Sequence, residues 1–308
     1  MKLTNIAILG AGAVGGYMLW GLHQKNDINV CVIAEGERKA RLEKEGLCIN
    51  DRVYFPTVKT PSEANGVDLL IVSLKYNALP PALDDIEKIV DDHTIVMSVM
   101  NGVDSEEIIA ERIGEEHMVY SVMKVASHRI GNQIVFDPAT TIGIIYGERY
   151  TERGHERIAA ITELFSGTEL HYRESDVIMS EIWTKFRLNV SMNLGQAIIG
   201  CGKGAYRDSE HVAFIHDKLA EEVDAIANAK GIDLSLSDKS SLAGSKVADS
   251  ARYSTLQDLD AGRHTEIDMF SGAIMRMGEE LGIPTPYNEM AYHVIKALEE
   301  KNDGMFDY

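Results

Sequence analysis

Apolar positions change their period a little past the middle of the chain. Short unbroken apolar runs occupy residues 5–9 (NIAIL), 28–34 (INVCVIA), 68–73 (DLLIVS) and 94–99 (TIVMSV). Runs this short, stopped by glycine or charge, predict buried parallel strands. Helical patterns cover 13–25 and 37–45 and recur between the later strands. Residues 48–55 predict a small hairpin, and β-rich pieces follow at 118–125, 133–136 and 141–146. A helix over 152–165 and a strand over 169–172 complete this part. Alternation of strand and helix predicts a doubly wound α/β sheet.

From about residue 176 nearly every segment has helical spacing: 176–199, 211–230, 237–252, 265–281 and 287–301. Gly231 and Gly282, each followed by isoleucine, have the position of helix C-cap glycines. The expectation is an α/β Rossmann-type dinucleotide-binding domain over 1–173, followed by an all-helical C-terminal domain over 174–308. Substrate is expected in the cleft between them.

The reason to expect a dinucleotide is Gly10-Ala11-Gly12-Ala13-Val14-Gly15, which leaves the first strand and opens the first helix. In this motif the first glycine permits a tight turn and the second lets the backbone approach a diphosphate. The third lets the helix pack close to the sheet, and the helix N-terminus offers unpaired N–H groups. Coenzyme choice is expected about 20 residues beyond, at the end of the second strand. Glu35 stands there; a carboxylate accepts from a ribose hydroxyl and repels a 2′-phosphate, so it favours NAD over NADP. Arg38, Lys39 and Arg41 follow it and are within reach of a phosphate.

Composition narrows the partners. A formal charge of −18 with no dense basic patch argues against nucleic acid and against an anionic membrane surface. Cys31, Cys48 and Cys201 are widely spaced, which fits a reducing cytoplasm and supplies neither a disulfide framework nor a zinc site. No metal is expected. Met1-Lys2-Leu3 and the apolar stretch after it resemble a short signal peptide, but glycines break the run, so a cytoplasmic protein is expected.

In the helical part, Lys185, Asn189 and Asn193 recur every four residues on an otherwise apolar helix, forming one polar line. A buried ammonium and two amides need polar company, from either another helix or a polar substrate. Further on, Glu266 is expected in the first turn of the helix over 265–281, where the helix dipole favours a carboxylate whatever its role.

Five landmarks then fall into place together: the glycine motif, Ser73-Leu74-Lys75, Asn101-Gly102, the Lys185–Asn189–Asn193 line, and the long stretch from Ser254 to Asp268 (STLQDLDAGRHTEID). With these the chain resembles the ketopantoate reductase (2-dehydropantoate 2-reductase) family nearly end to end. The resemblance implies an oxidoreductase that reduces ketopantoate to pantoate with a nicotinamide coenzyme, on the way to coenzyme A. It implies Lys185 as general acid, with Glu266 holding the lysine and the substrate hydroxyl. Asn189, Asn193 and Ser254 are implied as substrate ligands, with Lys75 and Asn101 lining the coenzyme and substrate side. A possible homodimer is implied too.

Two positions depart from the family. Many members carry an arginine near Glu35, consistent with NADP, and some carry asparagine where this chain has Ala251. An NAD-dependent D-2-hydroxyacid dehydrogenase acting on another 2-oxo acid is therefore the second expectation. A non-catalytic dinucleotide-binding sensor is the third, opposed by the intact Lys185 and Glu266.

Overall fold

The computed structural model describes residues 1–125, 127–131, 133–150, 153–238 and 248–306. The chain divides into two compact units, Met1–Ile178 and Met179–Tyr308.

The first unit is built on an eight-stranded sheet. β1 (Asn5–Leu9) lies in its interior, paired in parallel with β2 (Asn29–Ile33) on one side and β6 (Leu69–Val72) on the other. β5 (Thr57–Lys59) extends the β2 side. On the β6 side come β7 (Ile95–Ser98), β8 (Met118–Lys124), β11 (Gly143–Gly147) and β12 (Tyr172–Glu174). β11 runs antiparallel to its neighbour β8, and β12 pairs in parallel with β11, so these two strands oppose the other six. Every residue of β6 and β7 is buried, as the unbroken apolar runs require of strands covered on both faces. Helices α1 (Ala13–Leu22), α2 (Gly36–Glu45), α3 (Leu79–Ile89), α4 (Ser105–Ile113) and α5 (Glu156–Phe165) connect the strands.

A second sheet, which the pattern of residues did not reveal as such, has the order β4-β3-β10-β9. The expected hairpin is β3 (Leu47–Ile49) and β4 (Arg52–Tyr54), joined by Asn50 and Asp51 at positive φ. β10 (Gln133–Phe136) pairs with β3 and with β9 (Ser127–Ile130). The β-rich pieces after residue 118 thus divide between two sheets. This small sheet covers α1. Phe136 packs edge-on against Tyr17 and Trp20, with ring centroids 5.1 and 5.3 Å apart. Cover on both sides explains why α1 is buried from Gly15 to Leu22.

The second unit is helical. α6 (Ile178–Leu188) begins at its edge and is followed by α7 (Leu194–Ile199), a short α8 (Ala205–Asp208) and the long α9 (Glu210–Ala229). Then come α10 (Ser254–Asp260), α11 (Ser271–Leu281) and α12 (Pro286–Asn302). Trp183, Phe186 and Phe270 form an aromatic row in its core, with successive centroids 5.8 and 6.3 Å apart. Glu222 of α9 accepts the backbone N–H groups of Tyr287 and Asn288 at 2.8 and 2.9 Å, satisfying donors that the first turn of α12 leaves open.

Three expectations change here. The helix over 176–199 is not one α-helix: residues Asn189–Asn193 form a π-helical turn between α6 and α7. Ser191 donates back to the carbonyls of Arg187 and Leu188 at 2.9 and 3.4 Å, a side-chain competitor that loosens the regular ladder. The helix expected over 265–281 starts only at Ser271, because residues 266–270 form consecutive turns. Of the helix expected over 237–252, residues 239–247 lie outside the described residues, and Ser237, Asp238 and 248–252 are not helical.

Candidate active site

In the first unit the glycine motif makes an open cradle. Gly10 has φ +103, and a Cβ there would lie 2.1 Å from the carbonyl oxygen of Ser73. A Cβ on Gly15 would lie 1.9 Å from the carbonyl oxygen of Gly10. Both positions therefore need glycine: Gly10 so that the end of β1 can approach the segment after β6, and Gly15 so that the start of α1 can approach the end of β1. Gly12 differs: a Cβ there would meet nothing within 4 Å. It is the N-cap of α1, with no side chain capping the helix. Backbone N–H groups beside open space are what a bound diphosphate requires, so the residues present fit a dinucleotide. Ala11 is buried, and Ala13 and Val14 are partly exposed.

Glu35, at the end of β2, is the N-cap of α2, and its exposed side chain makes no capping hydrogen bond. Lys75 is exposed just beyond β6 and precedes a short 3-10 turn, Tyr76–Ala78. Asn101 is partly exposed in the turn after β7, next to Gly102 at φ +100. Tyr76 Oη donates to Asp104 Oδ2 at 2.7 Å and so ties the loop of Lys75 to the loop of Asn101. Behind Asn101, Ser98 and Ser105 share a hydrogen bond of 2.8 Å, and Ser105 Oγ donates to Glu106 Oε2 at 2.7 Å. Burial, reinforced by nearby Asp104, outweighs these donors and pushes the Glu106 carboxyl up to about 7. None of Tyr76, Asp104 or Glu106 was singled out from the sequence; their roles depend on two loops meeting.

In the second unit, Lys185 lies on α6, while Asn189 and Asn193 begin and end the π-helical turn. Lys185 and Asn189 are partly exposed, and Asn193 is buried. Asn193 Nδ2 donates to Ser254 Oγ at 3.3 Å, so residues far apart in sequence meet. Gln196 fixes this approach: it donates to the carbonyl of Ala251 at 2.9 Å and accepts from the N–H of Tyr253 at 2.8 Å. Ala251 thus serves through its backbone.

Glu266 lies in the turn before α11 and is partly exposed. The residues around it are largely fasteners. Arg263 grips Asp258 at 2.7 Å, and Gln257 donates to the carbonyl of Arg252 at 2.6 Å. Glu299 of α12 accepts from the N–H and the hydroxyl of Thr265. Asp268 accepts from Tyr292 at 2.8 Å and from Lys296 at 2.9 Å. Burial pushes the Asp268 carboxyl up, but these two donors outweigh it and leave it below the usual carboxylate range. Glu299 and Lys296 carry no motif signal, since they belong to an ordinary amphipathic helix.

Among the described residues no group of three or more His, Cys, Asp or Glu side chains is arranged to hold a metal ion, and no helix is long and apolar enough to cross a membrane.

Comparison with known proteins agrees along the chain. Residues 6–146 match the family model described as "Ketopantoate reductase PanE/ApbA", and residues 177–299 match its C-terminal counterpart. The 2-dehydropantoate 2-reductase of Mesorhizobium japonicum is 26% identical over 97% of this chain and 98% of its own. That of Pyrococcus horikoshii is 27% identical over 97% of this chain and 99% of its own. Among solved structures, the PanE/ApbA family ketopantoate reductase from Ralstonia eutropha has TM-score 0.80 at 27% identity, covering 97% of this chain and 100% of that one. A D-mandelate dehydrogenase in complex with NADH has TM-score 0.81 at 25% identity, covering 98% and 99%. A ketopantoate reductase from Staphylococcus aureus, described as dimeric, shares the fold with TM-score 0.74 at 17% identity, covering 97% and 99%. With both halves matched by the family's own models, the chain belongs to the ketopantoate reductase family.

Proposed function

We propose that the protein is a 2-dehydropantoate 2-reductase, reducing the ketone of ketopantoate to the hydroxyl of pantoate with NADH or NADPH. The observation that carries this reading is the meeting of Asn193 and Ser254 beside the Lys185 line, within a chain matched over nearly its whole length by enzymes of that name.

The coenzyme, when bound, supplies the hydride. The N–H groups around Gly12 would hold its diphosphate, with Gly10, Ala11, Ala13, Val14 and Gly15 shaping the cradle. Lys75 and Asn101 border the nicotinamide side at the C-terminal ends of β6 and β7. Glu35 favours the coenzyme without a 2′-phosphate. In the second unit, the Lys185 ammonium polarises the ketone, stabilises the negative charge developing on its oxygen and donates a proton to it. Glu266 orients Lys185 and accepts from the substrate hydroxyl. Asn189, Asn193 and Ser254 bind the polar groups of the acid. The assembly favoured by the family is a homodimer, and the compartment favoured by the free cysteines is the cytoplasm.

A second reading keeps the same chemistry but changes the acid: a D-2-hydroxyacid dehydrogenase using NADH. It is favoured by the D-mandelate dehydrogenase likeness and by Ala251, whose methyl group offers no donor to a carboxylate. Assay of a panel of 2-oxo acids by nicotinamide absorbance separates the two. Rapid turnover of ketopantoate supports the first reading; slow turnover of it beside rapid turnover of another acid selects the second. No turnover of any 2-oxo acid with either coenzyme rejects both.

A further inference from the structure

The small sheet carries a cation to the glycine loop. Ile134 of β10 lies over the first turn of α1, since a Cβ on Gly16 would come within 2.4 Å of its Cδ1. Arg129 is the cross-strand partner of Ile134 in β9, so the two side chains share the face turned toward α1. The Arg129 guanidinium accordingly reaches the glycine loop, with Nη1 3.5 Å from the carbonyl oxygen of Ala11, while its Nε donates to the carbonyl of Gly131 at 3.1 Å.

Arg129 is not there to neutralise a carboxylate. Among the described residues none forms an ion pair with Arg129 or with Arg38, which lies in the first turn of α2. The positive charges also act on one another: Arg38 is held below the usual guanidinium range, first by loss of solvent and then by repulsion from Arg129 and Arg41. A chain of net charge −18 therefore gathers cations beside its glycine motif. Like charges kept together without a counter-charge are stabilised by an anionic ligand.

We propose that Arg129, delivered by the β9–β10 hairpin, binds the diphosphate of the dinucleotide at the glycine loop, with Arg38 adding to the positive field there. The inference rests on the reading that the glycine loop takes a nicotinamide dinucleotide. It adds a charged side chain to a cradle otherwise made of backbone N–H groups.

Isothermal titration of the whole protein with NADH and with NADPH tests this without relying on turnover. Arg129→Ala should raise Kd about tenfold or more for both coenzymes, as expected for loss of a charge-assisted hydrogen bond. Arg129→Lys should recover part of the loss. Because Arg129 is exposed, the melting temperature should stay at the wild-type value. Kd within twofold of wild type for both coenzymes overturns the proposal. A loss confined to NADPH also overturns it, by moving the arginine to the 2′-phosphate, and so does a loss confined to NADH. If wild-type protein binds neither coenzyme, the underlying reading fails instead. Tight binding of both coenzymes, lost in Arg129→Ala, without 2-oxo acid turnover leaves this inference standing and rejects only the proposed reaction.

Discussion

The carboxylate of Glu299 accepts both the backbone N–H and the hydroxyl of Thr265, each at 2.6 Å, one residue before Glu266. Glu299 is only 3% exposed, and Lys296 and His264 flank its other oxygen at 3.4 and 3.6 Å. Buried donors left without an acceptor are costly, so Glu299→Ala should lower stability by about 2–4 kcal/mol in urea unfolding. Glu299→Gln should cost less, because an amide oxygen still accepts. A loss below about 0.5 kcal/mol for the alanine variant would show that the anchor does not matter. Since the same turn carries Glu266, kcat should fall in Glu299→Gln while coenzyme Kd stays unchanged.

Removal of the proposed acid separates chemistry from binding. Lys185→Ala should reduce kcat by about 10²–10⁴-fold, the usual contribution of a positioned proton donor. Coenzyme Kd, measured by titration, should remain near wild type because the glycine cradle belongs to the other unit. Unchanged kcat would remove Lys185 from the mechanism.

The glycines make opposite predictions. At Gly15 an added methyl strikes the Gly10 carbonyl, so Gly15→Ala should cost about 2 kcal/mol or more of stability. At Gly12 the methyl meets only open space, so Gly12→Ala should fold normally. It should nonetheless weaken coenzyme binding about tenfold or more by occupying the place of a phosphate. Thermal melts and titrations on both variants decide; equal behaviour would contradict the geometry.

Glu106 predicts a pH dependence of stability. Its carboxyl is raised from 4.5 to about 7 in the folded protein, so between those values the folded state holds a proton that the unfolded state has lost. Its contribution is fully present below pH 4.5 and is lost as pH rises through about 7. The loss is on the order of 3 kcal/mol. Glu106→Gln, which stays neutral, should remove this decline. Urea unfolding at several pH values between 5 and 8 would reveal it as a difference from wild type, and parallel curves would refute it.

Coenzyme choice can be tested at Glu35. Glu35→Arg replaces a repulsive group by an attractive one and should raise the NADPH-to-NADH ratio of kcat/KM about 30-fold or more. A ratio unmoved by the substitution would show that the exposed Glu35 side chain does not reach the adenosine ribose.

Much of the first unit was legible because its signals are local. A short apolar run, a glycine stop and a helix N-terminus need no distant partner to be understood, and β1, α1 and β2 follow from them. The small sheet was not legible, although β3, β4 and β10 were each visible. Pairing between β3 and β10 joins residues more than eighty positions apart, and no periodicity within either strand records that choice. The same limit applies to Arg129, an unremarkable hairpin residue until its register with Ile134 turns it toward α1.

In the second unit, the four-residue spacing of Lys185, Asn189 and Asn193 was plain, but the π-helical turn was not, because it depends on where the Ser191 hydroxyl points. The stretch from Ser254 to Asp268 was read as a family landmark, with roles implied only for Ser254 and Glu266. The structure assigns Gln257, Asp258, Arg263, Thr265 and Asp268 to holding the loop, with α12 supplying the distant partners. By itself the sequence determined the cradle's place, the two classes of architecture and the polar line, since each follows from nearest-neighbour sterics and periodic burial. Tertiary structure alone decided that Ser254 meets Asn193, that Glu299 holds the turn of Glu266 and that Arg129 overlooks the glycine loop. Each of these is a hydrogen bond or charge contact between distant segments, and only packing brings those segments together.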